Sequence, residues 1–432
     1  MSALITAIAA RGDTGRSPAL QAYLRRLVGP GLLVAVGYID PGNWATDIAG
    51  GTGYGYALLT VVVVASLLAM AIQSLVVRIT VATGEDLATL TGRLLPRPLA
   101  LLSWAAGEAA ILATALAELV GGAIALRLLA GLPLETGLVV TAAATLAVLT
   151  LSKHRAGLQE RLVSLLLGLV ALSFVALLVA ARPDAGAMAR DIAGAGQVLA
   201  GDTGALLIGL GILGATIMPH NLYLHSGLLA ERLRDLPADL RRSGERQALR
   251  TATGDTVLSL GLAMLVNAAI LIVAAASLTG GDFTVTSLDE AHAAMQVVLG
   301  GVMATLFAVA LYAAGQSSAI TGVLAGRMLT RGFRGRESRG WLRGIVTRVI
   351  AVAIGFALLT RGGGHSPDDL LVLSQVVLSL ALPFALAPLV LIAARRDLMG
   401  RLALGRASIA AAAAVTALII GLDLWLLADA LL

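Results

Sequence analysis

Two apolar runs of this chain are each interrupted by a proline that stands among side chains able to bind a cation. The first interruption reads Asp40-Pro41-Gly42-Asn43, and the second reads Met218-Pro219-His220. A proline inside an apolar helix removes one backbone N–H and clashes with the preceding turn, so carbonyl groups are released from the helical ladder. Lipid cannot satisfy those carbonyls, and such breaks persist where they line a buried cavity or hold something polar. A carboxylate, an amide and a thioether together suit a metal softer than calcium or magnesium, which take all-oxygen shells. Each residue also has a plainer reading. Asp40 has the position of an N-cap for the segment that Pro41 opens. Met218 belongs to a type that fills gaps in apolar cores. His220 reads as a ligand, a proton carrier or a hydrogen-bonded core residue, and His225 as part of the packed helix behind it.

The elements that must position these residues are membrane helices. Of 432 residues, 58% are hydrophobic and 13% are charged, where soluble domains carry about 25% charged residues. The net charge of +5 rests on arginines in short loops, which points to a membrane surface and away from nucleic acid. With no cysteine in the chain, disulfides, thiolate zinc sites and thiol catalysis are excluded. Residues 1–26 lack the compact apolar core and cleavage site of a signal peptide and contain Arg11, Arg16, Arg25 and Arg26, so they read as a cytosolic tail.

A spanning helix needs about 20 mostly apolar residues. Runs of that kind give about eleven spans, near 31–50, 55–80, 98–126, 132–151, 161–181, 204–230, 255–277, 298–326, 345–360, 369–392 and 407–431. Alternate connections are rich in basic residues: Arg78, Arg93 and Arg97; Lys153, Arg155 and Arg161; six arginines from Arg232 to Arg250, Arg241 and Arg242 among them; six from Arg327 to Arg343, Arg336 and Arg339 among them; and Arg395, Arg396, Arg401 and Arg406. The intervening connections carry acids such as Asp282, Asp289, Glu290, Asp368 and Asp369. The positive-inside rule places the N-terminus in the cytosol and the C-terminus outside. The breaks fall in spans 1 and 6. Five spans apart, they enter the membrane in opposite senses, which is the pattern of an inverted-repeat transporter with its site at the midplane. The expected organisation is an N-terminal tail over 1–28, a core over 29–392 with repeats near 29–181 and 203–392, and a loop with an added helix over 393–432.

The stretch from Gly37 to Asp47, Gly-Tyr-Ile-Asp-Pro-Gly-Asn-Trp-Ala-Thr-Asp, resembles the first span of the natural resistance-associated macrophage protein family. The stretch from Met218 to Ser226 resembles its sixth span, and Leu265 to Ile270, Gly315 to Ser318 and Leu382 to Ala385 agree in order and spacing. The resemblance implies an all-α polytopic protein with the leucine-transporter-type 5+5 inverted repeat and broken helices 1 and 6. It implies proton-linked import of Mn²⁺, Fe²⁺ or related ions across a bacterial inner membrane. By the same analogy Asp40, Asn43 and Met218 are metal ligands, joined by the backbone carbonyl of Ala215 and, in one conformational state, that of Gly37. Met218 also separates the chain from magnesium-transporting relatives, which lack the thioether.

The chain departs from that pattern twice. The third span of the family resembles a segment with three acids. Here Glu108 and Glu118 remain, but the middle position is Ala115. Ten residues place the two glutamates about 280° apart on a helix, so they do not stack. Glu118 has candidate partners in Arg343 and Arg348, which otherwise only mark the cytosolic end of span 9. In span 10 the family carries Gln just before Leu-Pro-Phe-Ala, and this chain has Ala381. Gln375, six residues earlier and about 240° around the helix, is expected to line the pathway from another side or to bond to neighbouring helices, not to replace that amide. Both losses lead to the expectation that metal transport persists while proton coupling is weakened, or rerouted through His220 and Glu118.

The competing readings are an uncoupled uniporter of the same ions and an amino-acid transporter of the same architecture. An intramembrane metalloprotease is disfavoured because His220 and His225 are five residues apart with no Glu between them, and nucleotide-driven transport because the sole lysine, Lys153, follows Ser152 outside any phosphate-loop motif. The expected partners are divalent metal ions as substrate and the lipid bilayer, with no nucleic acid, no resident cofactor and no obligate protein partner.

Overall fold

A computed structural model describes residues 18–152, 156–234, 243–279, 285, 287–335, 340–360 and 366–431. Arg11, Arg16, Lys153, Arg155, Arg241, Arg242, Asp282, Arg336 and Arg339, which entered the tail and loop reading, lie outside the described residues. The described residues are helical apart from short turns. A short α1 (Pro18–Arg26) precedes the first span, which is split into α2 (Pro30–Gly37) and α3 (Pro41–Tyr54). The first unit continues with α4 (Leu59–Thr83), a short α5 (Leu87–Leu94), α6 (Arg97–Ala130), α7 (Leu134–Ser152) and α8 (Ala156–Ala181). After the surface helix α9 (Ala185–Gly201), α10 (Thr203–Thr216) and α11 (Pro219–Arg234) form the sixth span. The second unit continues with α12 (Glu245–Ser277), the short α13 (Leu288–Val298), α14 (Gly301–Arg334), α15 (Gly340–Thr360), and α16 (Pro367–Ala381) joined to α17 (Pro383–Ala394). A single turn, α18 (Arg396–Met399), leads to α19 (Arg406–Leu431).

Nine helices among the described residues are long and apolar enough to cross a membrane. These are spans two to ten of the sequence reading. Span one falls short because its halves have 8 and 14 residues, and α19, with 26 residues, stands at the place of span eleven. Burial sorts the spans. The apolar windows of α6 and α14 are 83% and 78% buried, while that of α15 is 22% buried and those of α7 and α8 are 33%. The two most buried spans, α6 and α14, are those that Pro41 of the first break packs between. The end of the expected tail is not free: Tyr23, Leu24 and Leu27 pack with Leu229, Leu233, Ala248 and Ala252.

Glycines let the first break approach its neighbours. Pro41 nests against Gly121 of α6, where any Cβ would overlap its ring, and lies 3.5 Å from the Cβ position of Gly315 on α14. Trp44, fully buried, stacks edge-on against Phe174 at 4.9 Å and lies 5.4 Å from Phe307. At its other end α2 starts at Gly29 with φ +114°. The carboxylate of Asp255 on α12 accepts the N–H groups of Gly29 and Gly31 at 3.1 and 2.8 Å. These are orphan donors of a helix N-terminus, so Asp255 ties the N-terminal end of the first half-helix to the second unit.

Candidate metal site

The N-cap reading of Asp40 holds. Asp40 is the N-cap of α3: Oδ1 accepts the backbone N–H of Asn43 at 2.9 Å and its side-chain Nδ2–H at 2.8 Å. Its second oxygen, Oδ2, is buried and has no hydrogen-bond partner among the described residues. The cap thus occupies one carboxylate oxygen and orients the other. Thr46 donates back to the Asn43 carbonyl at 3.0 Å, which tightens the first turn.

The prolines release one defined carbonyl each. In an α-helix the carbonyl of residue i accepts from the N–H of residue i+4. Residue i+4 is Pro41 for Gly37 and Pro219 for Ala215, so neither carbonyl has a ladder donor. Locally α2 ends in tighter three-residue turns, Tyr38 N–H to Ala35 O and Ile39 N–H to Val36 O, both 3.1 Å. α10 ends with Ile217 N–H on Leu213 O at 3.0 Å. Ala215 and Met218 are fully buried.

The two breaks are joined by Asn221, which the sequence reading gave no role. Its Nδ2–H points at Met218 Sδ at 3.5 Å. A Cβ on Gly37 would stand 2.5 Å from that same nitrogen, so Gly37 is glycine because the amide occupies the space. The signal for Asn221 was its polarity within an apolar span.

Gln375 requires a correction to the helical-wheel argument. A Cβ on Gly42 would stand 2.5 Å from Gln375 Cδ and would overlap its amide nitrogen. The Gln375 side chain therefore lies directly on the first break. Its Nε2–H bonds to Ser374 Oγ at 2.9 Å, and its Oε1 is buried with no hydrogen-bond partner among the described residues. The wheel angle is right, but α16 is wedged between the two breaks, so two of its faces meet them. Gln375 meets Gly42, Ser379 stands 3.1 Å from the Cβ position of Gly214, and Leu378 and Ala381 pack with Met218. A side chain 240° from Ala381 is at the site for that reason.

The other residues divide clearly. Glu118 and Arg348 pair at 2.7 Å with relative exposures of 1% and 2%. Ser318 donates to Glu118 Oε1 at 2.8 Å, and Arg348 donates to the carbonyls of Ala319 at 2.8 Å and Ala115 at 3.4 Å. Glu108 pairs with Arg343. Both arginines are thus ion-pair partners in addition to marking one end of the span. A cavity of about 10 Å³ bordered by Ala115, Glu118, Arg343 and Arg348 separates the two pairs, about the space of one water molecule. His220 is buried beside the second break, and its Nδ1 has no partner among the described residues. His225 belongs to a separate chain of bonds: its Nδ1 lies 2.8 Å from Gln73 Oε1, and Gln73 Nε2–H donates to Tyr38 Oη at 3.0 Å. Asn267 donates to the Tyr38 carbonyl at 2.9 Å, tying α12 to the end of α2. Among the described residues no three His, Asp or Glu side chains converge, so any metal site here is one of mixed donors.

Two split helices, packed unit against unit with their breaks in contact, define a polytopic membrane protein of the leucine-transporter type. A nucleobase-cation-symport-1 family transporter, Mhp1, is similar in fold, with a TM-score of 0.59 at 17% identity over 92% of this chain and 88% of that one. Residues 31–429 match the family described as natural resistance-associated macrophage protein-like, and the chain belongs to that family. It is 43% identical to the divalent metal cation transporter MntH of Brucella suis biovar 1 (strain 1330), over 93% of this chain and 87% of that protein. Its structure is similar to that of the Eremococcus coleocola manganese transporter in complex with an aromatic bis-isothiourea substituted compound, with a TM-score of 0.84 and 33% identity over 95% and 88% of the two chains.

Proposed function

We propose that this protein imports divalent transition-metal ions such as Mn²⁺ and Fe²⁺ across a bacterial inner membrane, binding them between the two breaks. The observation that carries the reading is that the first break holds a buried carboxylate oxygen on Asp40 without a partner among the described residues, while Asn221, packed on Gly37 of that break, points its amide at Met218 Sδ of the second. Asp40 Oδ2 supplies the negative charge, Asn43 and Gln375 supply neutral oxygens, and the released carbonyls of Ala215 and Gly37 complete an oxygen-rich shell. Met218 adds the soft donor that calcium and magnesium do not use. The assignment to divalent metals, and to Mn²⁺ among them, draws on the names borne by the similar proteins of Brucella suis and Eremococcus coleocola. Transport is by alternating access, the half-helices rocking about the fixed site, with the N-terminus cytosolic and the C-terminus external.

Coupling to protons is weak in this reading. A proton on Glu118 would strand a buried guanidinium, a loss that costs about 3–5 kcal/mol when a buried pair is broken. With Ala115 beside it, α6 has no acid outside an ion pair, and besides Asp40 the buried protonatable groups near the breaks without a partner among the described residues are His220 Nδ1 and Asp47 Oδ2. An amino-acid transporter is disfavoured because Asp40 itself caps the N-terminus of α3, where a substrate carboxylate would have to sit.

The test is Mn²⁺ uptake into proteoliposomes with Ca²⁺ and Mg²⁺ as competitors, for wild type and Met218→Ala. We expect the substitution to relax exclusion of Ca²⁺ or Mg²⁺ more than it lowers Mn²⁺ uptake. Unchanged selectivity would remove Met218 from the metal's shell, and absence of wild-type Mn²⁺ uptake would overturn the function.

A further inference from the structure

One face of the last helix of this protein lines a groove. α19 packs on α17 and stands off α4 and α12, leaving a cavity of about 420 Å³ between them. From α19 the wall is made by Ser408, Ala411, Ala412, Val415 and Thr416, the i, i+3, i+4, i+7, i+8 spacing of a single helical face. That face is the kind a helix normally buries against a neighbour.

The length and charge of the groove restrict what fills it. Along α4 its wall runs from Leu68 to Arg78, ten residues, or about 15 Å at the helical rise. That is half of a hydrocarbon core of about 30 Å, so the groove is one leaflet deep. It opens at the arginine-rich edge of the protein. There Arg78 is half-buried and donates through Nη1 to the Leu402 carbonyl at 3.3 Å, which holds its guanidinium at the mouth. Arg401, in the turn before α19, and Arg406, its first residue, are exposed near the same end. An apolar bore one leaflet deep beneath fixed cations is complementary to an acyl chain beneath a phosphate. A second copy of the chain would match the bore but would bring its own arginines to the same edge.

We propose that the groove between α4, α12 and α19 binds one anionic phospholipid, an acyl chain along α19 and the phosphate on Arg78. This site is separate from the metal site and independent of what the protein transports. A basic residue at a membrane surface favours an anionic lipid by about fivefold, which sets the size of the effect. The experiment is native mass spectrometry of the delipidated full chain in detergent, titrated with phosphatidylglycerol or with phosphatidylcholine of the same acyl chains. We expect one phosphatidylglycerol per chain, held about fivefold more tightly than phosphatidylcholine. Arg78→Gln should erase that preference, Arg78→Lys should keep it, and Ala412→Phe should remove the bound lipid by filling the bore. Equal retention of the two lipids by wild type, or a full preference in Arg78→Gln, would overturn the site. So would a wild-type dimer that Ala412→Phe dissociates, because the groove would then hold a second copy. The comparison of the two lipids on wild type decides the matter even if a variant fails to fold.

Discussion

Gly42→Ala tests whether Gln375 belongs to the metal site, because the structure sets the size of the disturbance. The new methyl would overlap Gln375 Nε2 and stand 2.5 Å from its Cδ, where ordinary contact begins at 3.4 Å, so the side chain must retreat by at least that difference, about 0.9 Å. Metal–ligand distances tolerate about 0.2 Å. A retreat of that size takes the amide out of coordination, while the helix itself accepts alanine better than glycine. Loss of an oriented group at a metal site costs about 10–100-fold in affinity, and the lower part of that range applies because Asp40 and Met218 stay in place. Gln375→Ala should give a similar loss. The double variant Gly42→Ala/Gln375→Ala should be no worse than Gln375→Ala alone, because the methyl then meets no side chain. This is a non-additive cycle between residues in contact. Isothermal titration of Mn²⁺ into the purified protein, with uptake in proteoliposomes beside it, gives the three numbers. Full affinity in Gly42→Ala, or losses that add in the double variant, would refute a ligand role for Gln375.

Two further expectations concern the ion pairs behind the site. Glu118→Gln or Arg348→Gln should lower stability by about 3–5 kcal/mol through the stranded partner, whereas Glu118→Gln/Arg348→Met should recover much of that loss in thermal unfolding; equal damage in the double variant would show that the pair is not the unit. Wild type should admit Mn²⁺ with little metal-dependent acidification of liposomes carrying an internal pH dye, and Ala115→Asp, placed where Arg348 already reaches the backbone carbonyl at 3.4 Å, should gain acidification; a wild type that acidifies stoichiometrically, or an Ala115→Asp variant that imports metal without protons, would contradict the reading.

Much of the fold was legible because membrane helices announce themselves. Lipid demands about 20 apolar residues per span, and the loop arginines supply an independent parity check. The breaks were legible for the same reason, since Asp40 and His220 are costly in lipid without a purpose. What the sequence did not carry was which faces of different helices meet. The 240° between Ala381 and Gln375 follows from the helical repeat, but only the packing of α16 between two breaks brings both faces against them. Asn221 was hidden by a similar limit. Its neighbours in sequence belong to the second break, while the Gly37 it adjoins lies 184 positions away. Arg343 and Arg348 could be read as loop markers or as partners, and the choice depended on the lateral distance between α6 and α15.

The glycines at the breaks and the acids of α6 are held by different neighbours. Gly37 and Gly42 are forced by side chains that press on the first break from α11 and α16, so a change there disturbs donor positions at once. Ala115 lies on α6, where a side chain faces a water-sized cavity shared with Glu118, Arg343 and Arg348. Exchanging an acid for alanine at that point removes a charge without moving a donor at the breaks. Arg348 then has Glu118 as its carboxylate partner and spends its remaining reach on two backbone carbonyls. A pair satisfied in this way gains little from taking up a proton and loses the guanidinium's counter-charge by doing so. Glu118 is therefore held as a structural tie between α6, α14 and α15, apart from the breaks at Asp40 and Met218.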